Sequence, residues 1–231
     1  MEAGEEHLAR ICAVDLNLGC PSHEIIRIGA GPALLKRRTR LKEMFEALAE
    51  WRLSKVLRIQ AVGCKIRLGL NQLEMDSKVY IPVTELANAS LDYIVVHARH
   101  AKQRSSEPPY WDAIAEVKAA ATIPVIGNGN VDNAAGATAM RAATGCDGVM
   151  LARGAIANPW GLQAISGSGP DRWPSAAEVD EAEAEYVEGA RRAGTKQKFV
   201  DFHAANFVRL RAVATGAAQP GMAASAEIRS G

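Results

Sequence analysis

The sequence predicts an α/β fold built on a parallel sheet, and three observations predict it. Five short runs, Ala13 to Leu18, Val62 to Leu68, Tyr93 to His97, Ile123 to Gly127 and Gly148 to Ala152, are near-continuously apolar. Strands buried on both faces of a parallel sheet read this way, whereas half-solvated strands alternate. Helical patterns lie between the runs. The runs begin near 14, 62, 93, 123 and 147, so their spacings are 48, 31, 30 and 24 residues, with no sign of a second sheet. A closed eight-stranded barrel and an open doubly wound sheet both produce this pattern, and periodicity does not choose between them.

Taken in order, the first run ends in Asn17-Leu-Gly-Cys20-Pro21, and the proline ends the strand. Arg40 to Leu53 then places Leu41, Met44, Phe45, Leu48 and Leu53 near helical spacing. Asp112 to Ala120 and Asp132 to Ala143 are shorter and rich in alanine, with Asp112 and Asp132 as candidate N-caps. Past residue 165 the texture changes. Ser166-Gly-Ser-Gly-Pro170 reads as a linker. Ser175 to Ala190 is an acidic helical stretch, and Lys196 to Val213 is a second one carrying Lys196, Lys198, Arg209 and Arg211. The expected organisation is a barrel-like part over 1–165, a helical segment over 166–213 and a disordered tail over 214–231.

Composition excludes several classes. The 231 residues are 48% hydrophobic and 23% charged, the mix of a globular protein rather than a disordered one. No apolar run reaches the ~18 residues of a membrane span. The start, MEAGEEHLAR, lacks the apolar stretch of a signal peptide, so a cytoplasmic location is expected, an organelle being compatible. Lys plus Arg is 27 and Asp plus Glu is 26, so any nucleic-acid site must be a local patch. The run Lys36-Arg-Arg-Thr-Arg40 with Lys42 is such a patch, either an ordinary solvated face or a nucleic-acid contact. Cys12, Cys20, Cys64 and Cys146 have no Cys-x-x-Cys spacing, so neither a disulfide framework nor a structural metal site is expected.

Ligands of a parallel α/β sheet bind at the carboxyl ends of its strands. Those ends here carry Asn17 and Cys20, Lys65 and Arg67, His97 and Arg99, Asn128 to Asn130, and Arg153 with Gly154. Gly127, Gly129 and Gly154 let backbone N–H groups approach an anion, and Arg153 adds a fixed charge, which together suit a phosphate. Free thiols titrate near ~8.5, so Cys20 is suited to deliver a proton at neutral pH, or to act as a nucleophile if something activates it. An inward-pointing Lys65 on so apolar a strand is costly unless an anionic or acceptor partner meets it.

Six segments occur in an order that resembles the tRNA-dihydrouridine synthase family. They are Asp15-Leu-Asn-Leu-Gly-Cys-Pro21, Gly29-Ala-Gly-Pro-Ala-Leu-Leu35, Lys65-Ile-Arg-Leu-Gly69, Val96-His-Ala-Arg99, Asn128-Gly129 and Ala152-Arg-Gly-Ala155-x-x-Asn-Pro-Trp160. The resemblance covers roughly 12–165. It implies a (β/α)8 barrel that holds FMN, followed by a helical domain that grips tRNA. It implies reduction of the C5=C6 bond of uridine, with NADPH reducing the flavin, hydride passing to C6 and Cys20 protonating C5. Lys65, His97, Asn128, Gly129, Arg153 and Gly154 fall on its cofactor-binding positions. Asn17, Arg99 and Gln103 fall on the substrate side.

The sequence departs from that family in length. Only the last five of eight strand–helix units are expected here, because three more would need roughly 100 residues in a barrel of ~250. The Met-Ala-Pro-Met-like segment that covers the flavin is not found, and the helical segment is short. A non-catalytic remnant, or an incomplete gene model, is therefore one alternative. Another FMN-dependent barrel oxidoreductase acting on a small molecule is a second. Five strands without closure would also leave sheet edges through which the chain self-associates.

Overall fold

The computed structural model describes residues 11–53, 59–170 and 172–218. These divide into two compact units, one running up to Asn130 with Thr138–Met150, the other comprising Val131–Ala137 and the chain from Leu151.

The first unit is a five-stranded parallel sheet of order β1-β2-β3-β4-β5, with β1 Ala13–Leu18, β2 Ala61–Arg67, β3 Tyr93–His97, β4 Val125–Asn128 and β5 Gly148–Met150. A doubly wound sheet reverses its strand order at a switch point; this one never does. Right-handed crossovers in a sheet without reversal place every crossover helix on one face. The fold is therefore that of consecutive units of a (β/α)8 barrel.

The register shows both faces. Val62, Cys64, Ile66, Ile94, Val96 and Val125 are fully buried and alternate on the face that meets α2 (Arg38–Leu53), α4 (Tyr80–Ser90) and α5 (Trp111–Ala120). Each such side chain contributes about 1.5–3 kcal/mol by leaving water. The other face carries Asp15, Asn17, Lys65, Arg67, Tyr93, His97 and Asn128, aligned by the pairings Asp15↔Gly63, Asn17↔Lys65, Gly63↔Tyr93, Arg67↔His97 and His97↔Asn128. One face is the apolar core; the other is mostly polar, with Val95 and Ile126 among its apolar members.

Two aspartates fasten the amino ends of the strands. Asp92, just before β3, exchanges backbone bonds with Val62: its amide donates to Val62 O at 2.9 Å and its carboxylate accepts from Val62 N at 2.8 Å. Arg52 of α2 reaches the same carboxylate at 2.7 Å. Asp147, just before β5, does the same with Val125, at 2.9 and 2.8 Å, and takes Lys118 of α5 at 2.7 Å. Between them the amide of Asn88 donates to Ala120 O and accepts from Thr122 N, both at 2.9 Å.

Several boundaries differ from expectation. Asp112 does not cap a helix; α5 begins at Trp111 with Tyr110 as N-cap, and Asp112 sits in the first turn, where a carboxylate suits the helix dipole. The cap of α6 (Ala134–Thr144) is Asn133, whose Oδ1 accepts from Gly136 N at 2.8 Å, rather than Asp132. Two short helices, α1 (His23–Arg27) and α3 (Gln72–Asp76), and the whole of α4 were not expected. Helix α4 shows its signal in Tyr80, Val83, Thr84 and Ala87, buried at helical spacing, with Pro82 tolerated in the first turn.

The second unit contains α7 (Arg153–Ala157), α8 (Gly161–Ser166), α9 (Ala176–Arg192) and α10 (Gln197–Ala214). Gly167 ends α8 in the left-handed region at φ 74°. Ser175 and Glu178 form a capping box at the start of α9. Helices α9 and α10 run antiparallel. Arg211 pairs with Asp180 and Glu183 at one end, and Tyr186 meets the His203 and Phe207 rings toward the other. Of the expected tail, 214–231, Ala214 still belongs to α10 and 215–218 form a turn beyond it, while 219–231 lie outside the described residues.

Candidate active site

The polar face of the first unit gathers most of the residues the sequence singles out. Asn17 closes the turn after β1 by accepting from Gly19 N at 3.1 Å. That turn presents Cys20, which is half-buried, and Gly31 packs on the Cys20 carbonyl. The cysteine segment and the glycine-rich segment after it therefore meet in space. Cys64, by contrast, is buried on the helix side, where burial pushes its thiol far above the usual range, so it is inert.

Arg67, at the end of β2, ties the Cys20 turn to the neighbouring loop. Its Nε donates to Gly19 O at 3.0 Å and its Nη1 to His100 O at 3.2 Å. Burial lowers the Arg67 pKa, nearby Arg99 lowers it further, and Cys20 acts in the opposite sense. Lys65 lies two residues earlier on the same face. Burial lowers its pKa, Arg67 adds to that, and Asp15 opposes it. Asp15 also accepts from the Tyr93 hydroxyl, and burial with that bond raises the Tyr93 pKa.

The loops after β2 and β3 run together through Leu68 N to Arg99 O, Ala101 N to Gly69 O and Lys102 N to Leu70 O. Within the second loop, Arg99 is only 2% exposed. Its Nε donates to Glu107 O at 3.0 Å, and its Nη2 reaches Ser105 O at 3.2 Å and Asn130 Oδ1 at 3.0 Å. Gln103 donates to Pro108 O at 2.8 Å, while its Oε1 is buried without a partner, as is Nδ1 of His100. Burial lowers the His100 pKa. Asn128 is 7% exposed and donates to Met150 O at 2.8 Å. Gly129 takes φ 134°, open in practice to glycine, and its carbonyl accepts from Trp111 Nε1 at 3.0 Å.

Arg153 and Gly154 belong to the second unit, in the first turn of α7. A Cβ on Gly154 would stand 2.5 Å from Asp132 Cα, so this glycine is demanded by a close approach of the chain to itself. The basic run is largely ion-paired: Lys36 with Glu74 at 2.9 Å, Arg40 with Glu43 and Lys42 with Glu46 at 3.8 Å, while Arg37 and Arg38 are exposed. Glu74, 5% exposed, also accepts from Leu70 N at 2.8 Å. Among the described residues no cluster of His, Cys, Asp and Glu could hold a metal ion, and no helix is long and apolar enough to cross a membrane.

Arg67 stands at its strand end in the sequence without a role, and His100 is not singled out there at all. Arg67 stood in the Lys-Ile-Arg segment, but its partners are 48 and 33 residues away.

Comparison with known proteins agrees with this picture. The family described as dihydrouridine synthase matches residues 5–215. A "Probable tRNA-dihydrouridine synthase" of Mycobacterium leprae is 36% identical over 149 residues, 64% of this chain and 37% of that protein. One from Aquifex aeolicus is 35% identical over 151 residues, 64% and 44% of the two chains. A "tRNA-dihydrouridine(16) synthase" of Ralstonia nicotianae is 36% identical over 166 residues, 71% and 48%. The chain thus spans less than half the length of these relatives.

Proposed function

The chain belongs to the dihydrouridine synthase family, and from that premise we propose that it serves the reduction of uridine in tRNA. The observation that carries the reading is the polar sheet face, where Asn17, Lys65, Arg67, His97 and Asn128 stand in register beside the Cys20 turn. FMN, reduced by NADPH, is the proposed source of the hydride delivered to C6 of the uracil.

The face suits such a cofactor. Lys65 is a half-buried cation whose pKa is lowered by burial and by Arg67, so an acceptor-rich, anionic group laid against it relieves both. Lys65, His97, Asn128 and Gly129 are assigned to the flavin. Arg153 and Gly154 are assigned to its phosphate from their sequence match. Asn17 and Gln103 are assigned to the substrate side; Arg99, which the sequence match also puts there, is 2% exposed with its donors on loop carbonyls, so it is assigned to holding that loop rather than to touching substrate. The unpartnered Oε1 of Gln103 can accept from a uracil N–H.

Cys20 then acts as the general acid. Its S–H bond breaks as the C5–H bond forms, and the thiolate left behind takes a proton from water. Asn17 and Arg67 hold the turn that aims the sulfur. The helical pair α9–α10 is assigned to tRNA contact through the α10 side. The α9 side is acidic and repels phosphate, and Arg211 is already committed to it.

The test is FMN titration of the chain, followed by NADPH-dependent reduction of unmodified tRNA, for wild type and Cys20→Ala. The variant keeps flavin affinity and loses ~10²–10⁴ in uridine reduction, the range for a positioned proton donor. A folded chain that ignores FMN, or a variant that reduces uridine at the original rate, overturns the assignment.

A further inference from the structure

We propose that Arg99 is a positioning residue that fixes His97 in the tautomer carrying its proton on Nδ1. Arg99 Nη1 lies 3.4 Å from His97 Nε2. The contact is long, but its direction is set by the rest of the group. The planar guanidinium is anchored through Nε and Nη2 on the carbonyls of Ser105 and Glu107 and on Asn130 Oδ1. A guanidinium has donors only and does not deprotonate. The ring nitrogen facing it must therefore present a lone pair, and a neutral imidazole with its lone pair on Nε2 carries its hydrogen on Nδ1.

A second contact fixes the same edge of the ring. A Cβ built on Gly129 would stand 3.6 Å from His97 Cδ2. The Cδ2–Nε2 edge thus faces Gly129 and Arg99, and Nδ1 is turned away from both. His97 is flanked in the sheet by Arg67 and Asn128. His97 is then a hydrogen-bond donor through Nδ1. On the flavin reading above, a donor rather than an acceptor is what His97 would offer the cofactor. The tautomer itself does not depend on that reading.

Long-range proton–nitrogen correlation on the chain labelled with 15N-histidine tests this directly, His97 being identified by the signal lost in His97→Gln. The expected spectrum at neutral pH has a pyridine-type Nε2 and a pyrrole-type Nδ1. A pyrrole-type Nε2, or an imidazolium with both nitrogens protonated, overturns the proposal on wild type alone. Arg99→Lys keeps a cation but loses the planar fork. It shifts His97 toward a mixture of tautomers and weakens FMN by about 2- to 10-fold, the worth of one hydrogen bond. An unchanged His97 spectrum in folded Arg99→Lys overturns the proposal. The expected tautomer in a chain that does not bind FMN leaves the positioning role standing and sinks the flavin site instead.

Discussion

Replacing Arg67 with methionine isolates what holds the Cys20 turn. The side chain keeps an unbranched stem and loses both donors, so Gly19 O at 3.0 Å and His100 O at 3.2 Å each lose a charged partner. Hydrogen bonds to charged groups are worth about 1.5–3 kcal/mol each, and Arg67 is partly open to water, so about 2–3 kcal/mol for the pair is the expected loss. That loss falls on local opening rather than on the whole sheet, because Arg67 joins two loops at the carboxyl end. Hydrogen exchange over 17–21 and 99–103 should rise roughly 30- to 150-fold. The amino ends of β2 and β3, held by Asp92, should exchange as before. Arg67→Lys keeps the charge but cannot reach both carbonyls, and should fall between. Unchanged exchange in both loops of Arg67→Met would refute the clamp, and a uniform rise across the sheet would show that Arg67 supports the core instead.

Three further outcomes are expected. Arg153→Ala should weaken FMN by about 1.5–3 kcal/mol through loss of a charge-assisted contact, read by fluorescence titration, and an unchanged affinity removes Arg153 from the phosphate assignment. Glu178 is held down to about 2, from an ordinary 4.5, chiefly by Arg172 and then by Ser175. Its folded pKa is depressed, so its contribution to α9 is complete above about 4.5 and is lost as pH falls through about 2; wild type should shed helix stability across that window, Glu178→Gln should not, and identical acid profiles would contradict the cap. Among the described residues, strands β1 and β5 each pair on one side only, and we expect the chain to self-associate at raised concentration, with light scattering of a concentration-independent monomer as the contrary result.

The five strands were legible because each is a short, mostly apolar run, although β1 alternates through Asp15 and Asn17, and the structure places them with little shift. The choice of a barrel-type sheet over a doubly wound one was not legible in periodicity. It lies in strand order, which only the ordered family motifs pointed to. Helix α4 went unread because its Pro82, Thr84 and Asn88 weaken its propensity, although its buried positions keep the helical period. Cys20, Lys65 and His97 stood out as polar groups at the ends of apolar strands. Arg67 stood beside them, but its role as a tie between loops was not legible, nor was the Arg99–His97 contact, because both depend on groups that only folding brings near. Gly154 was read toward an anion, while its tight approach is to Asp132.

The aspartate fastenings at the amino ends repeat. Asp92 with Val62 and Arg52, and Asp147 with Val125 and Lys118, are the same three-part joint set two strands apart. The seam between them is joined by the uncharged Asn88 amide. This rim therefore alternates ionic rivets with a neutral clasp, and its natural module is a pair of strands rather than a single one. Lys118 first, and then the Val125 amide, lower the Asp147 pKa by bonding to its carboxylate. A charge moved to position 88 would put a rivet where the pattern calls for a clasp.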